Sequence, residues 1–138
     1  MRSRCSVLAL SMFVFAACEP AAPPEEFSAC EGSDGDEISV DGASVDGDTL
    51  TVAVGHGGGC ETHTYSICWP DQSFMESDPV QVNLEIFHDA HGDGCEAYLN
   101  SNLHFDLTPL KTAWQDAYQQ SAGTITLHVD GQTVDYTF

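Results

Sequence analysis

Four histidines and three acidic residues lie close to two cysteines in the middle of the sequence. Cys60 and Cys95 each sit in a glycine-rich segment at the end of an apolar run. The nearby side chains with ligand atoms are His56, Glu61, His63, His88, Asp89, His91 and Asp93. Imidazoles combined with carboxylates suit zinc or copper, so these residues indicate a divalent-metal site. The alternative is that the histidines cap the core and hydrogen-bond to loop carbonyls, while the acids are merely solvated.

The first 18 residues have the features of an export signal. Arg2 and Arg4 precede a mainly apolar run from Val7 to Ala17. This run is shorter than the ~20 apolar residues that a membrane-spanning helix needs. A basic start, a short apolar stretch and small residues at its end are typical of a secretory signal peptide.

The end of this segment, Phe15-Ala16-Ala17-Cys18, resembles the lipobox of bacterial lipoproteins, with Phe15 in the place where Leu is usual. The resemblance implies cleavage before Cys18 and attachment of a diacylglyceryl group and an acyl chain such as palmitate to that cysteine. More than one chain gives stable anchoring, because each buried CH₂ contributes ~0.8 kcal/mol. A conventionally cleaved or an uncleaved secretory peptide is the alternative. Glu19 replaces the Asp of the inner-membrane retention signal, so the resemblance implies the outer membrane, facing the periplasm or the cell surface.

The chain divides into three parts by composition. Residues 1–17 are the expected signal peptide, and residues 18–31 form a Pro/Ala/Glu-rich spacer that begins at the lipidated Cys18. Residues 32–138 are expected to form one disulfide-stabilised domain, which fits the usual domain size of ~100–150 residues.

Four cysteines remain after Cys18, namely Cys30, Cys60, Cys68 and Cys95. An even number of cysteines in an exported domain indicates disulfides, and four cysteines allow three pairings. We expect Cys60–Cys95, because both lie in glycine-rich loops at strand ends. We also expect Cys30–Cys68, because Cys68 lies on the polar face of its strand, where the N-terminal arm can be pinned. The first bridge would bring the histidines and acids together at one end of the domain.

Alternation of apolar and polar residues with period two dominates the domain and predicts β-strands. The alternating runs are Leu50–Val54, Tyr65–Trp69, Val80–Ile86, Leu103–Leu107, Ile125–Val129 and Val134–Phe138. Asp-Gly pairs at 41–42, 46–47 and 130–131 predict turns. One short helix is expected over about 109–120, with Thr108 as its cap, Pro109 at its first position and Gly123 near its end. The pattern predicts an antiparallel, immunoglobulin-like β-sandwich of about seven strands.

The segment Gly57-Gly58-Gly59-Cys60-Glu61-Thr62-His63 resembles a strand and loop of the NigD-like lipoprotein domains. That resemblance implies a β-sandwich and brings no activity with it. Two other histidines, His104 and His128, lie on the polar phase of their strands, and we expect them to be solvated.

Charge and missing motifs limit the function further. The chain has 3 Lys and Arg against 22 Asp and Glu, with a formal net charge of −19. Nucleic-acid binding requires clustered basic residues, so it is excluded. The sequence contains no Gly-x-Ser-x-Gly and no His-Glu-x-x-His, which argues against an enzyme and leaves no catalytic residue to name. We therefore expect a lipid-anchored envelope module without a cofactor that binds an envelope protein or a small ligand. A zinc- or copper-binding protein is the alternative.

Overall fold

The structure, a computed structural model, describes Phe27 and residues 35–138. Seven strands and one helix follow one another in this part of the chain. Their bounds are β1 (Ser39–Asp46), β2 (Thr49–Gly58), β3 (Thr64–Cys68), β4 (Val80–Asp89), β5 (Ala97–Asp106), α1 (Thr108–Tyr118), β6 (Thr124–Val129) and β7 (Gln132–Thr137). The predicted fold class, a mainly β sandwich of about seven strands with one short helix, is confirmed.

The strands form two sheets with the orders β1-β2-β5 and β3-β4-β6-β7. Apolar side chains alternate along β2, β4 and β6, and the buried ones from both sheets belong to a single core. Fully enclosed members include Leu50, Val52, Val82, Ile125 and Leu127. Period-two alternation therefore places one face of each sheet in the core, as in other sandwiches.

One strand pair departs from the antiparallel prediction. After β4 the chain crosses to the other sheet to form β5, and it returns through α1 to place β6 beside β4. The two strands are parallel, with Val80 opposite Ile125 and Leu84 opposite Val129. A parallel neighbour needs a long crossover, which β5 and α1 supply. The other four pairs are antiparallel.

The ends of the helix differ from the prediction. Thr108 is the first helical residue and not the cap. The cap position belongs to Leu107, which has no side-chain cap hydrogen bond. The Asp106 carboxylate instead accepts the backbone N–H of Thr108 at 2.9 Å. The helix ends at Tyr118, because Gln119 adopts a left-handed conformation with φ 54°.

Two of the three Asp-Gly turn predictions are confirmed. Asp46 ends β1 and Gly47, with φ 57°, begins the turn to β2, whereas Asp130-Gly131 joins β6 to β7 with φ of 42° and 88°. Positive φ at both central residues is what a tight hairpin turn of type I′ requires. The Asp41-Gly42 prediction is wrong, because this pair lies inside β1, where the pairing with β2 shifts between Val40 and Gly42.

The predicted signal peptide, Cys18 and Cys30 lie outside the described residues. So does the spacer over residues 18–31, except for Phe27. The Phe27 side chain is buried in the core, and its carbonyl accepts a hydrogen bond from Gln72 Nε2 at 3.3 Å. None of the helices in the described part is both long enough and apolar enough to cross a membrane.

Candidate functional site

Three histidines meet at one end of the sandwich. His56 continues the inward row of β2, and His88 continues the inward row of β4 in the opposite sheet, so the two rings face each other across the interior. His63 comes directly before β3. The ring centroids are 4.5 Å apart for His56 and His88, 4.6 Å for His56 and His63, and 5.0 Å for His63 and His88. The rings are enclosed, with His56 only 4% and His88 only 2% exposed.

The Cys60–Cys95 disulfide is present and closes this end of the sandwich. Its Cα atoms are 5.9 Å apart, and it joins the loop between β2 and β3 to the segment that precedes β5. Cys68 was expected on the polar face of β3 but is buried. Its pairing with Cys30 stays a prediction, because Cys30 lies outside the described residues.

Asp93 connects the two loops that the disulfide joins. Its Oδ2 accepts the backbone N–H groups of residues 59–61 at 2.7, 2.9 and 3.0 Å, and it accepts His63 Nε2 at 3.0 Å. Its Oδ1 accepts the backbone N–H of Cys95 at 2.9 Å. The His63 hydrogen bond, followed by the backbone amides, holds the pKa of Asp93 well below its usual range, because all of these donors favour the ionised form. Asp93 is therefore a fixed anion that orients the His63 ring.

Gly58 leaves the space that the His63–Asp93 pair occupies. A Cβ at this position would lie 2.6 Å from His63 Nε2 and 2.8 Å from Asp93 Oδ2, and the φ of Gly58 is 136°. Only glycine combines that backbone conformation with the close approach. The glycine run seen in the sequence therefore has a packing role here.

His63 and His88 share a hydrogen-bonded proton. His63 Nδ1 lies 2.7 Å from His88 Nε2, while His88 Nδ1 donates to the Glu37 carbonyl at 3.2 Å. The two outer nitrogens must both donate, because a carboxylate and a carbonyl only accept. The two remaining nitrogens, His63 Nδ1 and His88 Nε2, therefore face each other between the rings.

His56 is held by different partners. Its Nδ1 donates to the Gly57 carbonyl at 2.9 Å, and its Nε2 lies 2.5 Å from the Tyr65 hydroxyl, which donates to it. Burial raises the pKa of Tyr65, while a hydrogen bond with Ser101 acts in the opposite direction. The Tyr65 ring also stacks on His88, with centroids 5.2 Å apart.

The structure assembles part of the predicted site and leaves the rest at the surface. His56, His63, His88 and Asp93 come together. His91 and Asp89 do not join them. The side chain of His91 is exposed and its backbone φ is 51°, and its Nε2 lies 3.7 Å from Asp89 Oδ2. Glu61 contributes its backbone N–H to the site while its side chain is exposed. His91 lies outside because two further residues, Asp89 and Ala90, carry the chain past the end of the inward row.

Two participants were not recognised from the sequence. Tyr65 was identified only as a member of the apolar row of its strand, although its in-phase position beside His63 was a usable signal. The Glu37 carbonyl had no signal, because a backbone acceptor far away in the chain has no sequence pattern. The two histidines expected to be solvated lie away from the cluster. His104 is exposed and bonds to Thr51 Oγ1, whereas His128 is half-buried and bonds to Gln81 and Thr133.

The three rings bring ligand nitrogens close to one another. One ligand nitrogen from each of His56, His63 and His88 lies within 4.8 Å of the other two. A second group of ligand atoms comes from Cys60, Asp93 and Cys95, but its sulfurs form the disulfide and cannot act as thiolate ligands. A pocket of about 390 Å³ lies beside His56 and is lined by Glu37, Ile38, Ser39, Gly55, His56, Gly57 and Tyr98.

Comparisons with known proteins agree with the fold. No protein-family model matches the sequence, and no curated protein matches it. Among solved structures, a NigD-like immunity protein from Bacteroides caccae has a TM-score of 0.53 at 19% identity, covering 76% of this chain and 51% of that one. Two further structures are similar. A toxin-related protein from Parabacteroides distasonis has a TM-score of 0.45 at 20% identity, covering 78% of this chain and 50% of that one. A protein of unknown function from Bacteroides vulgatus has a TM-score of 0.44 at 12% identity, covering 76% of this chain and 48% of that one. The chain thus spans about half the length of these structures.

Proposed function

We propose that the protein is a non-catalytic, lipid-anchored binding module of the bacterial cell envelope, held at the outer membrane through Cys18. The observation that carries this proposal is the order of the first 18 residues: two arginines, a short apolar run, and Ala16-Ala17-Cys18. Lipid on Cys18 supplies membrane affinity that an acidic domain lacks, because anionic headgroups repel negative charge.

The short distance in sequence between Cys18 and Phe27 supports a domain held close to the membrane. Phe27 is nine residues after Cys18 and is buried in the core, where Gln72 also holds its carbonyl. Nine residues span at most about 30 Å, since an extended chain covers roughly 3.3–3.6 Å per residue. The sandwich would therefore stand about one domain diameter or less from the lipid surface.

The burial of the histidine cluster favours a binding or structural role over catalysis. A general acid or base must come within about 2.6–3.2 Å of the proton that it transfers. His56, His63 and His88 are enclosed by the two sheets, so a substrate would have to displace protein groups to reach the shared proton. A protein partner or a small ligand at the acidic surface suits this arrangement better. The Bacteroides caccae neighbour, which is described as an immunity protein, has the same fold and is compatible with a protein partner.

Metabolic labelling with radioactive palmitate tests the anchor. We expect the wild-type chain to take up label and to partition into the detergent phase of a cell extract, whereas Cys18→Ser loses both properties. Cys5→Ser is the matched control, because it removes a cysteine from the segment that cleavage would discard. It should keep the label. Absence of label from the wild-type chain, or label that persists in Cys18→Ser, would show that the anchor is not at Cys18.

A further inference from the structure

Each histidine of the cluster has one nitrogen committed to an acceptor that fixes its ring. His63 Nε2 is held by Asp93, His88 Nδ1 by the Glu37 carbonyl, and His56 Nδ1 by the Gly57 carbonyl. Metal-binding histidines nearly always donate their second N–H to a carboxylate or a backbone carbonyl, which sets both the tautomer and the ring orientation. All three rings of this cluster follow that pattern.

The three remaining nitrogens are His63 Nδ1, His88 Nε2 and His56 Nε2. Two of them face each other at 2.7 Å across a single proton, and the third accepts the Tyr65 hydroxyl. Zinc binds histidine nitrogen at about 2.0–2.1 Å, which places tetrahedral ligand atoms about 3.3 Å apart. A metal ion can therefore replace the shared proton if the two rings separate by about 0.6 Å.

We propose that His56, His63 and His88 bind one zinc(II) or copper(II) ion, and that Asp93 is a positioning residue that orients His63. This site goes beyond the proposed anchoring function and does not depend on it. The rings come from the two opposite sheets and the intervening loop, so an ion bound here would also tie the sheets together.

The chemistry of the donors selects the class of metal. Three imidazoles suit zinc and copper, whereas calcium and magnesium prefer oxygen ligands. Thiolate coordination is excluded at Cys60 and Cys95 by the disulfide. The charges also fit, because the cation would lie beside the Asp93 carboxylate in a strongly acidic protein. The Tyr65 hydroxyl also lies at the cluster and offers an oxygen atom as a further metal ligand.

Metal titration of the complete chain tests the site. The protein, with its disulfide intact, is stripped with a chelator and titrated with zinc(II) or copper(II) in a calorimeter, with near-ultraviolet circular dichroism to verify the fold. We expect one ion per chain. His56→Gln and His63→Gln should each weaken binding by at least ~100-fold, and Asp93→Asn, which keeps all three ligands, by ~10–100-fold. His91→Gln is the matched control, because it removes an exposed histidine from the same end of the domain and should leave affinity unchanged.

Cobalt(II) provides a readout that needs no variant. Bound to the wild-type chain, it should show the visible absorption bands of a tetrahedral nitrogen site, which zinc(II) abolishes and millimolar calcium does not. The proposal is wrong if the wild-type chain binds no stoichiometric zinc or copper, if calcium displaces cobalt, or if His91→Gln weakens binding as much as His56→Gln does. Cys18→Ser should bind metal normally, so failure of the anchor and failure of the metal site can be told apart.

Discussion

Removal of the Cys60–Cys95 disulfide should destabilise the domain mainly by freeing the unfolded chain. The bridge joins residues 35 apart in sequence, and neither cysteine is part of the buried core. Replacing both with serine therefore removes the cross-link without opening a cavity. Both serines are isosteric with cysteine and remain at the surface end of the sandwich.

The size of the effect follows from loop closure. A cross-link that closes n residues lowers the entropy of the unfolded chain by about 2.1 + 1.5R ln n cal/mol/K. For the separation of 35 this amounts to about 3.8 kcal/mol at 25 °C. For a domain of this size, with an unfolding entropy of about 2.1 cal/mol/K per residue, the loss corresponds to roughly 15–20 °C in melting temperature.

Urea denaturation without reductant measures this loss directly. The double variant Cys60→Ser, Cys95→Ser is compared with the wild-type chain, with tryptophan fluorescence reporting on Trp69 and Trp114 in the core. Thr62→Ala, an exposed substitution in the same loop, is the control and should change the free energy of unfolding by less than ~0.5 kcal/mol. The m-value should rise, because an unfolded chain without the cross-link expands and exposes more surface.

A loss of less than about 1 kcal/mol would refute the entropic reasoning. It would mean that the unfolded chain stays compact around this loop even without the bridge. A loss far above ~5 kcal/mol would instead show that the bridge holds the Asp93 network in place, because the loop between β2 and β3 would then detach together with its four hydrogen bonds to Asp93.

Three further predictions concern packing and charge. Gly123→Ala should lower the free energy of unfolding, measured by urea denaturation, by about 1–3 kcal/mol, because the added Cβ would overlap the indole of Trp114. Gly42→Ala is the control and should lower it less, because the added Cβ meets open space. The hydrogen bond from Tyr136 is the largest cause that lowers the pKa of Asp48, and the hydrogen bond from Lys111 is the second. The stability that this carboxylate contributes is therefore present above about pH 4, and it is lost as the pH falls through the lowered pKa of the folded state. The difference in melting temperature between the wild-type chain and Asp48→Asn should accordingly shrink below pH 4, and a constant difference would contradict it. Cleavage before Cys18 would leave Lys111 as the single Lys or Arg against 22 Asp and Glu, a net charge of −21. The melting temperature of the cleaved chain should therefore rise from low to molar salt, because salt screens the repulsion between its carboxylates. A flat or falling profile would contradict this.

The sandwich could be predicted because its signal is local. Alternating apolar residues such as Leu50, Val52 and Val54 predict a strand whatever its neighbour, and Asp130-Gly131 predicts a hairpin through its own backbone preference. Strand β1 was not predicted, because its Asp41-Gly42 pair has the composition of a turn and is a strand only through its pairing with β2. The parallel pairing of β4 with β6 likewise depends on where α1 returns the chain.

Four residues of the candidate site could be chosen from the sequence, by residue type, by their position in the apolar and polar alternation of the strands, and by one cysteine pairing. His56 and His88 follow the inward phase of their strands, and the expected Cys60–Cys95 bridge brought His63 and Asp93 near them. The same reasoning also included His91 and Asp89, whose side chains lie outside the cluster, because proximity in sequence does not say on which side of a turn a side chain lies.

The sequence by itself determined the strand-forming segments, the acidic surface and the residue types available for chemistry, since these depend on short-range patterns and composition. Only the tertiary structure decided which nitrogen of each histidine bonds to a carboxylate or backbone carbonyl and which bonds to another ring of the site. That choice depends on acceptors from distant parts of the chain, such as Asp93 for His63 and the Glu37 carbonyl for His88. A hydrogen bond between residues 30 or 51 positions apart exists only once the sheets have packed, because packing alone brings donor and acceptor within 3 Å or so of each other.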